Sequence, residues 1–303
     1  MFRHIMRTSV GCALIGFAAV TSVPCTSALG QISVGDSGVG YIDNAIPGNQ
    51  IRLRSDFVWE SNKPNRAESQ WAWPPPLGNG PALDESGVNY QRLGTYVELA
   101  PSDCFSVFVD VPLMLVDPDI NDNTGGFGDM EAGFKWALLH GPDQFLTLQL
   151  RTYIPTGDEQ RGLGTGHLSV EPALLWYKRL DNCWLLEAQV ANWVPIDGTS
   201  GRQGNVLRYG LGLSHDSWSL GCMRIRPVVE FVGWTVLDGQ ATFATSPGLF
   251  AVEDVDGDTI VNAKFGVRLG IDDKRDLYVG YGRSLTGDRW YEDIIRIELR
   301  HFF

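Results

Sequence analysis

Three short stretches carry side chains whose types and spacing could do chemistry. Asp254, Asp256 and Asp258 alternate in Glu253-Asp-Val-Asp-Gly-Asp, as acids do at the start of a calcium loop, where one turn gathers several oxygen ligands. The pattern then departs from such a loop. Thr259 stands where it wants glycine and Phe265 where it wants a bidentate glutamate, so an ordinary acidic turn is the competing reading. Asp117, Asp119 and Asp122 could join a cation site from another connection. His167-Leu-Ser169 and His215-Asp-Ser217 each set an imidazole two residues from a hydroxyl, the residue types of a base and its nucleophile. The plainer reading of both is a turn histidine beside a turn serine, and no catalytic residue is expected. Cys104, Cys183 and Cys222 show no metal-ligand spacing and are expected to be free.

These residues belong to a chain of 303 residues with 24 Lys+Arg against 36 Asp+Glu, a formal charge of −12. That acidic balance argues against a nucleic-acid partner, which wants a basic face. An apolar content of 44% with 10 Trp excludes a disordered chain. A mean hydropathy of −0.08 excludes a bundle of membrane helices, though it does not exclude a membrane protein without continuous apolar runs. Residues 1–30 read as a signal peptide for export: Arg3, His4 and Arg7, then an apolar run over Val10–Val20, then small residues at Ala28 and Gly30. Residues 31–48 are expected to be an N-terminal periplasmic segment and 49–303 a single barrel domain.

Beyond residue 49 the hydrophobic period is two. At the end of the chain Ile295, Ile297, Leu299, His301 and Phe303 point one way and Arg296, Glu298 and Arg300 the other. Strands are predicted at about 49–60, 90–100, 105–116, 128–139, 145–155, 168–180, 184–195, 205–214, 223–236, 259–270, 276–284 and 291–303. Most run to roughly ten residues, the length of a tilted membrane strand and longer than is usual in globular sheets. Their connections alternate between mostly long (61–89, 117–127, 156–167, 196–204, 237–258, 285–290) and mostly short, as loops and turns do in an outer-membrane barrel. The long first loop carries Trp71-Ala-Trp73 and Pro74-Pro-Pro76, either a lid over the mouth or an ordered external loop. Trp59, Tyr90, Trp193, Trp234, Trp290 and Tyr291 fall toward the long-loop ends, and Trp136, Trp176, Trp184 and Trp218 toward the short turns, suggesting two interfacial belts. The fold class is therefore all-β: a transmembrane antiparallel up-and-down β-barrel of about twelve strands.

Parity then sorts the walls. Leu53, Phe57, Val97, Leu99, Phe134, Leu148, Leu211, Phe265, Val267 and Val279 are among the residues expected to face lipid. The opposite face carries Arg52, Arg54, Asp56, Arg92, Glu98, Asp110, Glu131, Lys135, Arg151, Glu171, Glu187, Arg208, Glu230, Lys264, Arg268, Arg296, Glu298 and Arg300. A basic residue at the lipid midplane costs about 2–4 kcal/mol, so this set should line the lumen. Crossed ion pairs could plug it as a structural core, or separate basic and acidic walls could orient polar solutes. Gly94, Gly133, Gly210, Gly212, Gly266, Gly280 and Gly282 share the inward parity and could either open space or relieve crowding.

Gly126-Phe-Gly-Asp129 with Gly133-Phe-Lys-Trp136, then Tyr153-Ile-Pro-Thr-Gly-Asp158, Gly162-Leu-Gly-Thr-Gly166 and Pro172, resembles the family of outer-membrane channels associated with meta-pathway phenol degradation. The resemblance is strongest over about 90–215. It implies a transporter-like barrel for small molecules, aromatic or hydrophobic ones among them, and no catalytic residues. Phe303 with alternate apolar residues upstream resembles the C-terminal signal read by the outer-membrane assembly machinery, with His301 departing from it. The His167/Ser169 spacing is similar to that of outer-membrane lipid hydrolases, but shares the luminal parity of Glu171. The expectation is an outer-membrane channel for passive passage of small solutes. Its partners would be membrane lipid, the assembly machinery and the solute, with no cofactor beyond a calcium ion in the acidic loop. The rivals are a lipid-modifying enzyme at the outer rim and a structural barrel whose lumen is closed by ion pairs.

Overall fold

Side chains alternate across a strand, so a two-residue period in hydrophobicity becomes two chemically distinct sheet faces. The computed structural model shows what each face meets. It describes residues 37–61, 72, 75, 78–83, 85–198, 203–220, 223–246, 249–287 and 289–303. The signal-peptide expectation for 1–30, and most of the Trp71–Pro76 stretch, lie outside the described residues.

The strands are β1 (Gln50–Ser61), β2 (Val88–Ser102), β3 (Phe105–Pro118), β4 (Thr124–Phe127), β5 (Met130–Gly141), β6 (Gln144–Ile154), β7 (Ser169–Arg179), β8 (Trp184–Pro195), β9 (Val206–His215), β10 (Trp218–Leu220), β11 (Met223–Val236), β12 (Gln240–Ser246), β13 (Leu249–Asp254), β14 (Thr259–Gly270), β15 (Arg275–Ser284) and β16 (Asp293–Phe302). Twelve of them form a closed antiparallel ring, in chain order, without β4, β10, β12 and β13. The ring closes where β1 pairs β16, with Arg54 opposite Glu298 and Asp56 opposite Arg296. Closure leaves no row of unpaired amides. The short β4 continues the pairing of β3 above β5, and β10 continues that of β11 below β9. The connection predicted over 237–258 contains a hairpin, β12 paired with β13.

The burial pattern separates a membrane barrel from a soluble sandwich. On β16 the apolar Ile295, Ile297 and Leu299 are exposed, at 37–42%, whereas the charged Arg296, Glu298 and Arg300 are 8% exposed or less. Leu53, Leu99, Val107, Leu211, Phe265 and Val279 repeat the exposed apolar face around the ring. A water-soluble protein has the opposite arrangement. In a bilayer the outer face meets hydrocarbon and the charges turn inward.

The two tryptophan belts need correction. Trp136, Trp184 and Trp218 are exposed at the short-turn end, and Trp59 at the other, as interfacial residues should be. Trp193 and Tyr291 are instead buried, and Tyr90, Trp234 and Trp290 pack on an internal cluster around Tyr41, Tyr278 and Ile294. On their strands, Tyr90, Trp193 and Trp234 share parity with Arg92, Gln189 and Glu230 and so face inward. Position near a strand end did not reveal which face each ring occupied.

A second correction concerns cysteine. Cys104 is free, but Cys183 is disulfide-bonded, its partner lying outside the described residues. Asp216 donates its amide hydrogen to the Cys183 carbonyl at 2.8 Å, one step beyond the Trp184–His215 pair of the β8–β9 ladder.

The glycine-rich pieces at 126–129 and 153–166 dock one outer connection onto the wall. The Asp129 carboxylate accepts hydrogen bonds from the Gly157 amide at 3.0 Å, the Thr165 amide at 2.7 Å and the Thr165 hydroxyl at 2.8 Å. Gly164 is required by close approach, since a Cβ there would stand 2.3 Å from an Asp129 oxygen. Leu163 then buries against Val88, Met114 and Val116. An Asp129→Ala change should weaken this docking by about 2 kcal/mol or more, because several donors lose a charged acceptor at once. Limited trypsin digestion of the folded barrel should then cut faster at the exposed Arg161, and an unchanged cleavage rate would refute the clamp.

Candidate functional site

The luminal wall is built from the inward residues of every strand in the ring. Each charged residue assigned to the lumen by parity sits on the inner face, buried or nearly so. They do not form separate basic and acidic walls. Asp56 takes Arg296 through both oxygens at 2.6 Å. Glu298 accepts from Arg54 at 2.6 Å and from Arg268 at 3.0 Å, and Asp276 links Arg268 to Arg300 at 2.6 and 2.7 Å. Arg92 bridges Asp110 and Glu131, and Lys135 pairs Glu98 at 3.0 Å. Arg208 pairs Glu171 at 2.6 Å, and Arg151 reaches Glu131 at 3.4 Å. Alternating signs within hydrogen-bond reach compensate each other's desolvation.

The lumen also holds a part of the chain that was expected outside it. The sequence leads one to expect residues 31–48 in the periplasm; the described part, 37–48, threads through the barrel interior before joining β1. Glu187 accepts from the Ser37 hydroxyl at 2.7 Å and from the Gly38 amide at 2.9 Å. Glu230 accepts from the amides of Gly40, Tyr41 and Ile42 at 2.9–3.1 Å. Asp43 pairs Arg151 and Arg208, each at 2.7 Å, and the Ala45 carbonyl accepts from Thr147 at 2.5 Å. The physical reason is supply and demand of hydrogen bonds. The segment has no helix or strand of its own to satisfy its amides, and the wall presents carboxylates that need donors.

Some of the inward glycines make room for this segment. A Cβ on Gly210 would stand 2.4 Å from Ile42 Cγ2, and one on Gly212 would stand 2.5 Å from Val39 Cγ1. Their missing side chains were a signal for the segment, legible only once the occupant is known.

The remaining candidates do not come together as chemistry. Asp254 ends β13 and accepts from Gln240, while Asp258 closes the following turn through its backbone to Val236 and Val255. No group of three His, Cys, Asp or Glu side chains that could hold a metal occurs among the described residues, Asp254, Asp256 and Asp258 included. His167 and Ser169 are buried on the luminal side, away from lipid. His167 Nδ1 lies 3.1 Å from the Thr165 carbonyl oxygen, and burial pushes the His167 imidazole below its ordinary value. His215 Nδ1 does reach Ser217 Oγ at 2.9 Å, but Asp216 is engaged by Arg226 at 2.7 Å instead of orienting the imidazole.

No family model matches the chain, and no curated protein matches it. Among solved structures, an outer membrane channel from Pseudomonas putida F1 is similar at 14% identity and a TM-score of 0.55, over 88% of this chain and 100% of that one. The shared fold is an outer-membrane β-barrel. The NanC porin is similar at 9% identity and a TM-score of 0.49, over 84% of this chain and 99% of that one. LpxR from Salmonella typhimurium is similar at 8% identity and a TM-score of 0.46, over 84% and 100%.

Proposed function

We propose that this protein is an outer-membrane channel for small solutes, aromatic compounds among them, and that residues 37–48 are the movable obstruction in its lumen. The observation that carries this reading is the nature of the filling. A barrel with a purely structural lumen can be filled by its own wall, as eight-stranded barrels are. Here the wall carries Gly210 and Gly212 opposite Val39 and Ile42, and a separate piece of chain takes the space. Its attachments are hydrogen bonds and ion pairs, which water can replace as the segment withdraws. Tyr153, Trp193, Trp234 and Trp290 toward the outer end offer aromatic surface to a solute entering from outside.

The ion-paired structural barrel is the second reading, favoured by the Glu298 and Asp276 networks. The two differ in planar-bilayer recording of the refolded protein. Discrete conductance steps are expected from a channel whose obstruction moves. Complete insertion without a step at any applied voltage would overturn the channel reading. The luminal burial of His167 and Ser169 gives the rim enzyme no lipid-facing pair at that position.

A further inference from the structure

Lys264 is a buried cation to which the lumen supplies aromatic rings in place of a carboxylate. It stands on the inner face of β14, 4% exposed. Its Nζ lies 3.7 Å from the ring centroid of Tyr41, 5.4 Å from that of Tyr291 and 5.7 Å from that of Trp234. The acids nearby are engaged elsewhere. Asp56 holds Arg296 through both oxygens, and Glu230 accepts three amides of the 40–42 stretch and the Tyr278 hydroxyl. Among the described residues Lys264 has no ion pair, unlike Lys135, which pairs Glu98. Cation–π contacts return less than an ammonium loses on leaving water.

Unused hydrogen-bonding capacity surrounds it. Asn262 is two residues along β14 on the same face, fully buried, with neither amide atom partnered. The Tyr291 hydroxyl and the Trp290 indole N–H are also buried without partners. The Trp290 ring lies 5.8 Å from Trp234, which ties it to the same cluster. Buried polar groups are nearly always partnered, so several orphans around one unpaired cation indicate a missing acceptor. The acceptor that matches an ammonium, an amide N–H, a phenol O–H and an indole N–H is a carboxylate. The walls that remain for the rest of such a molecule are Tyr41, Trp234, Trp290 and Tyr291, all aromatic.

We propose that Lys264, Asn262, Trp290 and Tyr291 form a binding site for a small aromatic carboxylate on the outer side of the luminal segment. The site rests on the channel reading and gives that channel a preference for anionic aromatic solutes. Tyr41 belongs both to the site and to the segment, so an occupant that displaces its ring from Lys264 also loosens the obstruction.

The test is calorimetric titration of the full protein in detergent micelles with benzoate and with benzyl alcohol, a neutral molecule of similar size. Benzoate is expected to bind saturably and more tightly than benzyl alcohol. Lys264→Met is expected to weaken benzoate on the order of tenfold or more, the loss of one charge-assisted contact, and to leave benzyl alcohol unchanged. Should Lys264→Met not fold, Asn262→Ala keeps the cation and should weaken benzoate several-fold with the same selectivity. Equal affinity for the two molecules in the wild type, or folded variants that bind benzoate as the wild type does, would overturn the site. Titration needs no conduction. A silent barrel that still prefers benzoate sinks only the channel reading, and a conducting barrel without the preference sinks only the site.

Discussion

Removal of residues 37–48 is expected to raise the single-channel conductance of the reconstituted barrel several-fold while the wall stays intact. The segment runs from Arg296 and Arg300 on β16, which hold the Gly40 and Ser37 carbonyls, to Arg151 and Thr147 on β6, nearly opposite in the ring, so it occupies the path along the barrel axis. The ring itself closes through β1 and β16 and does not depend on the segment for any strand pairing. Deletion strips donors from Glu187 and Glu230, but these carboxylates then face water admitted by the same deletion, and hydration replaces what was lost. A point change should act in the same direction. Gly212→Val places methyl groups where Val39 now lies, and the added Cβ alone would stand 2.5 Å from Val39 Cγ1. Real Cβ atoms do not approach so closely, and the segment can move more readily than a hydrogen-bonded strand. Bilayer recording of both variants checks this. A deletion variant that inserts fully and conducts no better than the wild type would show that the segment does not obstruct the lumen.

Glu298→Gln is expected to cost about 3–5 kcal/mol of barrel stability, the range for breaking a buried ion pair by removing one partner. Glu298 is 1% exposed and receives Arg54 on one oxygen and Arg268 on the other, with Arg52 at 3.7 Å. Neutralising it leaves these guanidiniums facing each other with one shared counter-charge fewer. Arg283→Ala is the control. Its side chain is 58% exposed and pairs Glu292 and Asp293 in solvent, so its loss should cost less than about 1 kcal/mol. Urea unfolding in lipid vesicles, with equal slopes for the variants, measures the difference. Comparable midpoints for the two changes would mean that the buried network contributes no more than a surface pair.

The barrel was legible because a strand with two different solvents must alternate. Ile295, Ile297 and Leu299 against Arg296, Glu298 and Arg300 carry that signal in six residues, and the same parity placed Glu98, Glu187 and Arg268 on the inner face. The luminal segment was not legible, since a stretch that satisfies its amides with scattered side chains needs no period. Its trace lay elsewhere, in Gly210 and Gly212, whose small size had two explanations until Ile42 and Val39 were placed beside them. The tryptophans failed for a related reason. A ring near a strand end suits either an interface or a luminal mouth, and only parity on the particular strand distinguishes Trp59 from Trp234. The disulfide of Cys183 was not legible, because cysteine spacing alone does not reveal which thiols pair. Lys264 was placed correctly on the inner face, but its lack of a carboxylate depends on how Asp56 and Glu230 are already engaged.

The luminal segment also imposes an order on assembly. Ser37 donates to Glu187 150 residues away, and its carbonyl accepts from Arg300 across 263 residues, on the strand that closes the ring. Contacts so distant in the chain form late, since the entropy of closing the intervening loop must be met before they contribute. The seat for residues 37–48 does not exist until β16 has been added, and once β16 has joined β1 the guest is enclosed on every side. Wrapping and filling must therefore be completed together, with the earliest part of the described chain waiting for the latest to build its surroundings.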